Sequence, residues 1–158
     1  MIVVSDTSAI TNLFQVQRLD LLRHLYGEVI IPPGVREELY RIEGQREGLG
    51  PLGWLITRKP TDERLVTNLN RELDYGESQA IALAVELRAD YLIIDEYKGR
   101  QRAEEMGVRI VGLLGILIAA KKHGHVQFVS PILKRARANG FRLSDRLVQL
   151  VLARLGEV

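Results

Sequence analysis

The sequence predicts an α/β fold in which a parallel sheet is covered by helices on both faces. Short apolar runs rich in Val and Ile alternate along the chain with stretches of helical periodicity, and Gly or Pro punctuates the joints. Two of those runs end directly in an aspartate, Asp6 and Asp95, which places a carboxylate at the end of a buried strand twice. With 46% apolar and 27% charged residues in 158, the chain has enough core material for one ordinary domain spanning 1–158.

The elements follow in order. Ile2 to Ser5 reads as a strand that stops at Asp6. Leu19 to Tyr26 has helical apolar spacing and stops at Gly27. Val29 to Ile31 is a second strand, halted by Pro32-Pro33, and a helix starts there because proline is tolerated in a first turn; it runs through Arg41. Residues 43–53 hold four glycines and one proline, which predicts a loop. A third strand at 54–57 precedes a helix at 61–71 capped by Thr61. The alanine-rich stretch Gly76 to Arg88 is a strong helix, and Tyr91 to Ile94 is a fourth strand ending in Asp95. A helix over 98–106 closes at Gly107, a fifth strand covers 108–111, and three helices at about 113–123, 129–139 and 144–155 complete the chain. No repeat, low-complexity tract or linker divides it.

Composition excludes several classes. No run approaches the roughly 18 apolar residues of a spanning helix, and the N-terminus runs into a strand rather than a secretory leader. Cysteine is absent, so disulfides and thiolate metal sites are excluded, which fits a reducing cytoplasm. The net charge of +2 hides an asymmetry: residues 1–120 carry 14 Lys/Arg against 18 Asp/Glu, and residues 121–158 carry 8 against 2. An acidic body beside a basic C-terminal segment suits a protein that meets polyanions, although solvated helix faces explain it as simply.

Ligands of a parallel sheet bind outside the carboxyl ends of its strands, near the point where strand order reverses. If the strands ending in Asp6 and Asp95 are neighbours, their carboxylates share one crevice, and two buried carboxylates call for a cation. The competing reading is that each caps the helix that follows. On the helix after Pro33, Val35, Leu39 and Ile42 define the buried stripe. Glu38 lies roughly 60° from its centre and Glu37 nearly opposite, so Glu38 is the candidate and Glu37 a surface charge. Glu77 shares the face of Ala80, Ile81 and Ala84, so it too points inward, though an acid in a first turn also suits the helix dipole. Four oxygen-bearing acids make a hard-metal donor set of the kind Mg²⁺ or Mn²⁺ takes. His24 reads as a helix-surface residue, and His123 and His125 as residues at a helix end, not as ligands.

Four short motifs then resemble those of PIN-domain nucleases, in order, across roughly residues 2–111. They are Val-Val-Ser-Asp-Thr-Ser-Ala-Ile with Asp6, Pro-Gly-Val-Arg-Glu-Glu-Leu with Glu38, Leu-Asp-Tyr-Gly-Glu-Ser-Gln-Ala-Ile-Ala-Leu-Ala with Glu77, and Leu-Ile-Ile-Asp-Glu-Tyr-Lys-Gly-Arg with Asp95. Gly112 to Gly124 is similar to the VapC-like branch. The fourth motif often carries Asp-Asp where this chain has Asp95-Glu96, which ranks Glu96 below the four.

The resemblance implies a three-layer α/β sandwich with strand order 3-2-1-4-5. It also implies an Mg²⁺- or Mn²⁺-dependent endoribonuclease, the toxin of a toxin–antitoxin pair, with an antitoxin partner and a homodimeric state. Asp6 and Asp95 would be the principal ligands, and Glu38 and Glu77 would complete the shell or accept a proton. Ser8 would orient a ligand or substrate, and Lys98 and Arg100 would hold the RNA backbone; capping and solvation explain these three equally well. The apolar residues Leu113, Leu114, Leu117 and Ile118 are the candidate dimer face, or plain core. A non-catalytic PIN-like binding module is the alternative. A dehalogenase-type phosphatase needs a second Asp at position 8, where Ser8 stands; a receiver needs an acidic pair that Asp6-Thr7 does not supply; and no Gly-rich phosphate loop is present.

Overall fold

The computed structural model describes residues 1–157. Five strands, β1 (Val3–Ser5), β2 (Val29–Ile31), β3 (Leu55–Thr57), β4 (Tyr91–Ile93) and β5 (Ile110–Val111), form one sheet in the order β3-β2-β1-β4-β5. Every adjacent pair is parallel, so each connection crosses over, and helices make those crossings. They are α1 (Thr7–Gln15), α2 (Asp20–Tyr26), α3 (Pro33–Arg41), α4 (Gln45–Leu49), α5 (Glu63–Leu69), α6 (Tyr75–Leu87), α7 (Tyr97–Glu105), α8 (Leu113–Lys122), α9 (Ser130–Ala138) and α10 (Asp145–Arg154). The expected order and flanking helices are what the chain adopts.

The centre of the molecule is α6, which lies on β1 and β4 and is packed by α3, α5 and α7. Its residues Gly76 to Ala84 are all buried, so this helix is enclosed on every side rather than amphipathic. A second group forms around α8, which packs on α1, α2 and β5.

Two local expectations are corrected, one unassigned stretch is filled and one open alternative is decided. Helix α1 fills what the strand-first reading left unassigned, because Ala9, Ile10 and Leu13 bury one face. The glycine-rich stretch 43–53 contains α4, held by burial of Leu49 and by Gln45 Nε2 donating to Leu39 O at 2.9 Å; tertiary packing overrides the weak local propensity. Helix α5 is capped by Asp62, which accepts from Leu65 N at 3.0 Å, while the Thr61 hydroxyl donates to Glu86 instead. Leu113 and Leu117 lie in the core at 1% and 0% exposure, leaving only Leu114 and Ile118 half-buried for any contact outside it. No described helix is long and apolar enough to cross a membrane.

Candidate functional site

Strand order reverses between β1 and β4, and their carboxyl ends are in register, with Ser5 opposite Ile93. Asp6 N donates to Ile93 O at 2.9 Å, which fixes the chain as it leaves the sheet. Asp6 occupies the N-cap position of α1 yet its side chain accepts no capping hydrogen bond. It is 6% exposed. The capping explanation of this carboxylate therefore fails.

Asp95 does not cap α7 either. Glu96 does, accepting from Gly99 N at 2.9 Å, and this gives Glu96 a structural role. Asp95 instead turns toward α8, where both its oxygens face Leu113 N at 3.1 and 3.2 Å. Satisfying an orphan N–H at a helix start accounts for part of its position.

Glu38 lies between α1 and α6. The Thr7 hydroxyl donates to its Oε2 at 2.7 Å, and its carboxyl group rests against Gly76. Glu77, 6% exposed, points from the first turn of α6 toward α7, so that a Cβ on Gly99 would stand 2.7 Å from its Oε2. That Oε2 is buried with no hydrogen-bond partner. Asp95 repeats the arrangement against Gly112, where an added Cβ would strike both the carboxylate and Arg100. Three acids thus occupy cradles that any side chain at the facing glycine would fill.

Asp74 belongs to the same ring and was missed by sequence reasoning. It is the N-cap of α6, accepting from Glu77 N at 2.7 Å. Its signal was present as the Asp-x-x-Glu spacing of a capping box; here Glu77 faces the crevice instead of closing the box. Thr7, not Ser8, is the hydroxyl that holds an acid.

The electrostatics match the geometry. Burial pushes the Asp6 carboxyl up to about 7 against the pull of the Thr7 N–H, and repulsion from Asp74, Glu38 and Asp95 adds to the rise. Burial also raises Glu77, helped by the adjacent Asp74 carboxyl and by the charge of Asp6. Asp95 is raised by burial, with the Leu113 N–H and Arg100 pulling the other way. The acids feel one another and lack sufficient positive charge.

Ser8 and Arg100 line the groove beside Asp95, whereas Lys98 is exposed and borders neither that groove nor the neighbouring cleft. Glu37 is exposed, as its helical angle predicts. His24 and His125 stack on each other, centroids 5.3 Å apart. The donor set suits a hard divalent ion in chemistry: carboxylate oxygens, one of them orphaned, in glycine cradles. Among the described residues, however, no group of three His, Cys, Asp or Glu side chains is gathered closely enough to ligate one ion as it stands.

A family model described as a PIN domain matches residues 2–157. Among solved structures, the chain is similar to a PilT N-terminus domain protein from the hyperthermophilic archaeon Sulfolobus solfataricus P2, with 20% identity and a TM-score of 0.53 over 80% of this chain and 98% of that one. At that identity the likeness speaks to fold. No curated protein matches the chain.

Proposed function

The chain belongs to the PIN-domain family, and from that premise we propose that it is a divalent-metal-dependent endoribonuclease with Asp6, Glu38, Glu77 and Asp95 as its site residues. Members of this family are generally nucleases. The observation that carries the proposal is the set of carboxylates at the sheet's switch point, with Asp6 pushed up to about 7 by burial and a buried Glu77 oxygen left unpartnered. A cluster of carboxylates offset only in part, by Arg100 beside Asp95, is costly unless more positive charge joins it.

Asp6 and Asp95 would hold the ion, with Glu77 and Glu38 completing its shell directly or through water. When bound, Mg²⁺ or Mn²⁺ supplies Lewis acidity, lowering the pKa of water and offsetting charge on the phosphate. The Thr7 hydroxyl keeps Glu38 aimed across α1. The Glu77 carboxyl, raised by burial, holds a proton when no ion is present and would accept one again only after an ion has displaced it. Arg100, beside Asp95, holds a phosphate oxygen of the RNA, and Ser8 borders the same space. In the finer reading the protein is the toxin of a toxin–antitoxin pair of the VapC-like branch, cytoplasmic and homodimeric, with a separate antitoxin partner.

The second reading is a non-catalytic PIN-like binding module. Cleavage of a labelled RNA separates the two. The enzyme cuts with Mn²⁺ and stops in EDTA, whereas cutting that persists in EDTA eliminates the metal mechanism, and a protein that binds RNA yet never cuts it is the module.

A further inference from the structure

We infer that Phe141 on one side of Asp95 and Tyr97 on the other are the rings on which unpaired bases of the RNA are seated. The inference rests on the nuclease reading and specifies its substrate. Two hollows meet at Asp95 and Arg100. A groove of about 810 Å³ runs from them between α1 and α8 to the 139–143 loop and the start of α10. A cleft of about 460 Å³ leaves along α7, from Tyr97 past Gln101 to Glu104. Both contain Asp95 and Arg100, so together they make a track that meets the site acids at Asp95, while Asp6, Glu38 and Glu77 border neither hollow.

Each arm carries an aromatic ring. Tyr97 is 75% exposed in the cleft, although a free aromatic ring beside a polar site gains nothing from solvent. Phe141 is half-buried in the groove wall. Every nucleobase has a π-face, so such rings accept unstacked bases irrespective of sequence, and a paired duplex cannot present them. The polar residues of the groove complete the chemistry. Arg142 is exposed and closes no ion pair among the described residues, which leaves its guanidinium free for a phosphate, while Arg100 stands beside Asp95 where the two hollows meet. Asn12 and Gln15 of α1 line the same wall with amides suited to base edges, and Thr11 Oγ1 there is buried without a partner.

The probe is a fluorescently labelled single strand of mixed sequence, titrated by anisotropy in EDTA so that binding is read without cleavage; cleavage is measured separately with Mn²⁺. Tyr97→Ala and Phe141→Leu, the latter keeping apolar volume while removing the ring, are each expected to weaken binding roughly 5- to 100-fold. Arg142→Ala is expected to weaken it and to lower the salt slope by about 1. A duplex of the same sequence should compete poorly. Wild-type affinity in both ring variants, equal competition by duplex, or no binding of the single strand at all overturns the track. So does a Phe141→Leu protein whose oligomeric size changes while its RNA affinity does not, because the groove would then be a protein interface. If the ring effects appear but wild type cuts no RNA, the nuclease reading fails and the track stands; if cutting is intact and the ring effects are absent, the reverse holds.

Discussion

Replacing Asp6 by Asn removes a charge that burial penalises, and the effect on stability can be worked out. The Asp6 carboxyl titrates at about 7 in the fold against its ordinary 3.8. A folded pKa above the unfolded one means that the folded chain binds the proton more tightly, so the group costs nothing below pH 3.8 and its full cost is reached above about 7. That gap of about 3 pH units corresponds to roughly 4 kcal/mol at alkaline pH without metal. Between pH 5 and pH 8 the cost rises by about 2–3 kcal/mol. Urea unfolding of wild type and Asp6→Asn, both in EDTA at 25 °C, should therefore diverge by that amount as pH rises, the Asn protein being the more stable. In melting curves the divergence amounts to about 5–10 °C for a domain of this size. Saturating Mg²⁺ at pH 8 should restore wild type and do little for the variant. Parallel pH profiles, or an Asn protein that is the less stable at pH 8, would refute the claim that Asp6 is held as an uncompensated buried charge.

Other expectations are more direct. Asp6→Asn and Asp95→Asn should each lower RNA cleavage by about 100-fold or more, while Glu37→Gln, whose side chain is exposed, should cut like wild type. Gly112→Ala forces a methyl group into the Asp95 carboxylate and Arg100, so cleavage should fall well before the melting temperature does; normal cleavage would show that the cradle is not needed. Glu157, its side chain 2% exposed, accepts from Lys121 Nζ, Val129 N and Ser130 N at 2.8–2.9 Å. Glu157→Ala should cost about 2 kcal/mol in urea unfolding at pH 7. Its carboxyl is held below the usual 4.5 by those donors, so the wild-type advantage should shrink as pH falls below that value.

Much of the fold is legible in the residues alone. A strand ending in a carboxylate is a statement about both burial and chemistry, and Asp6 and Asp95 made it twice; the strands proved adjacent and in register. The inward angle of Glu38 and the face of Glu77 followed from helical periodicity alone, and both point where that geometry sends them. What was hidden depends on contacts between distant segments. Glu38 rests on Gly76, which lies 38 positions away, and Asp95 takes the N–H of Leu113, 18 positions away, so neither partner shows in a local window. Helix α4 was hidden for the same reason, because its glycines argue for a loop until Gln45 finds Leu39 O. Asp74 was a different failure: its capping signal was local and went unused.

The enclosure of α6 has a consequence for motion. Its first turns are surrounded by other elements, and α6 touches α3, α5, α7 and two strands, so its amides can exchange with solvent only when most of the domain opens. Glu77 rides on that stiff rod, and Asp6 leaves a strand lying beneath it. Glu38 and Asp95 hang from elements with exposed flanks, on α3 and on the turn between β4 and α7. Any adjustment that brings the carboxylates closer must then come from those outer two, with Glu77 and Asp6 as the fixed jaw. In hydrogen exchange, added Mn²⁺ should slow the amides around Glu38 and at residues 95–100 while leaving those of α6 as slow as they were.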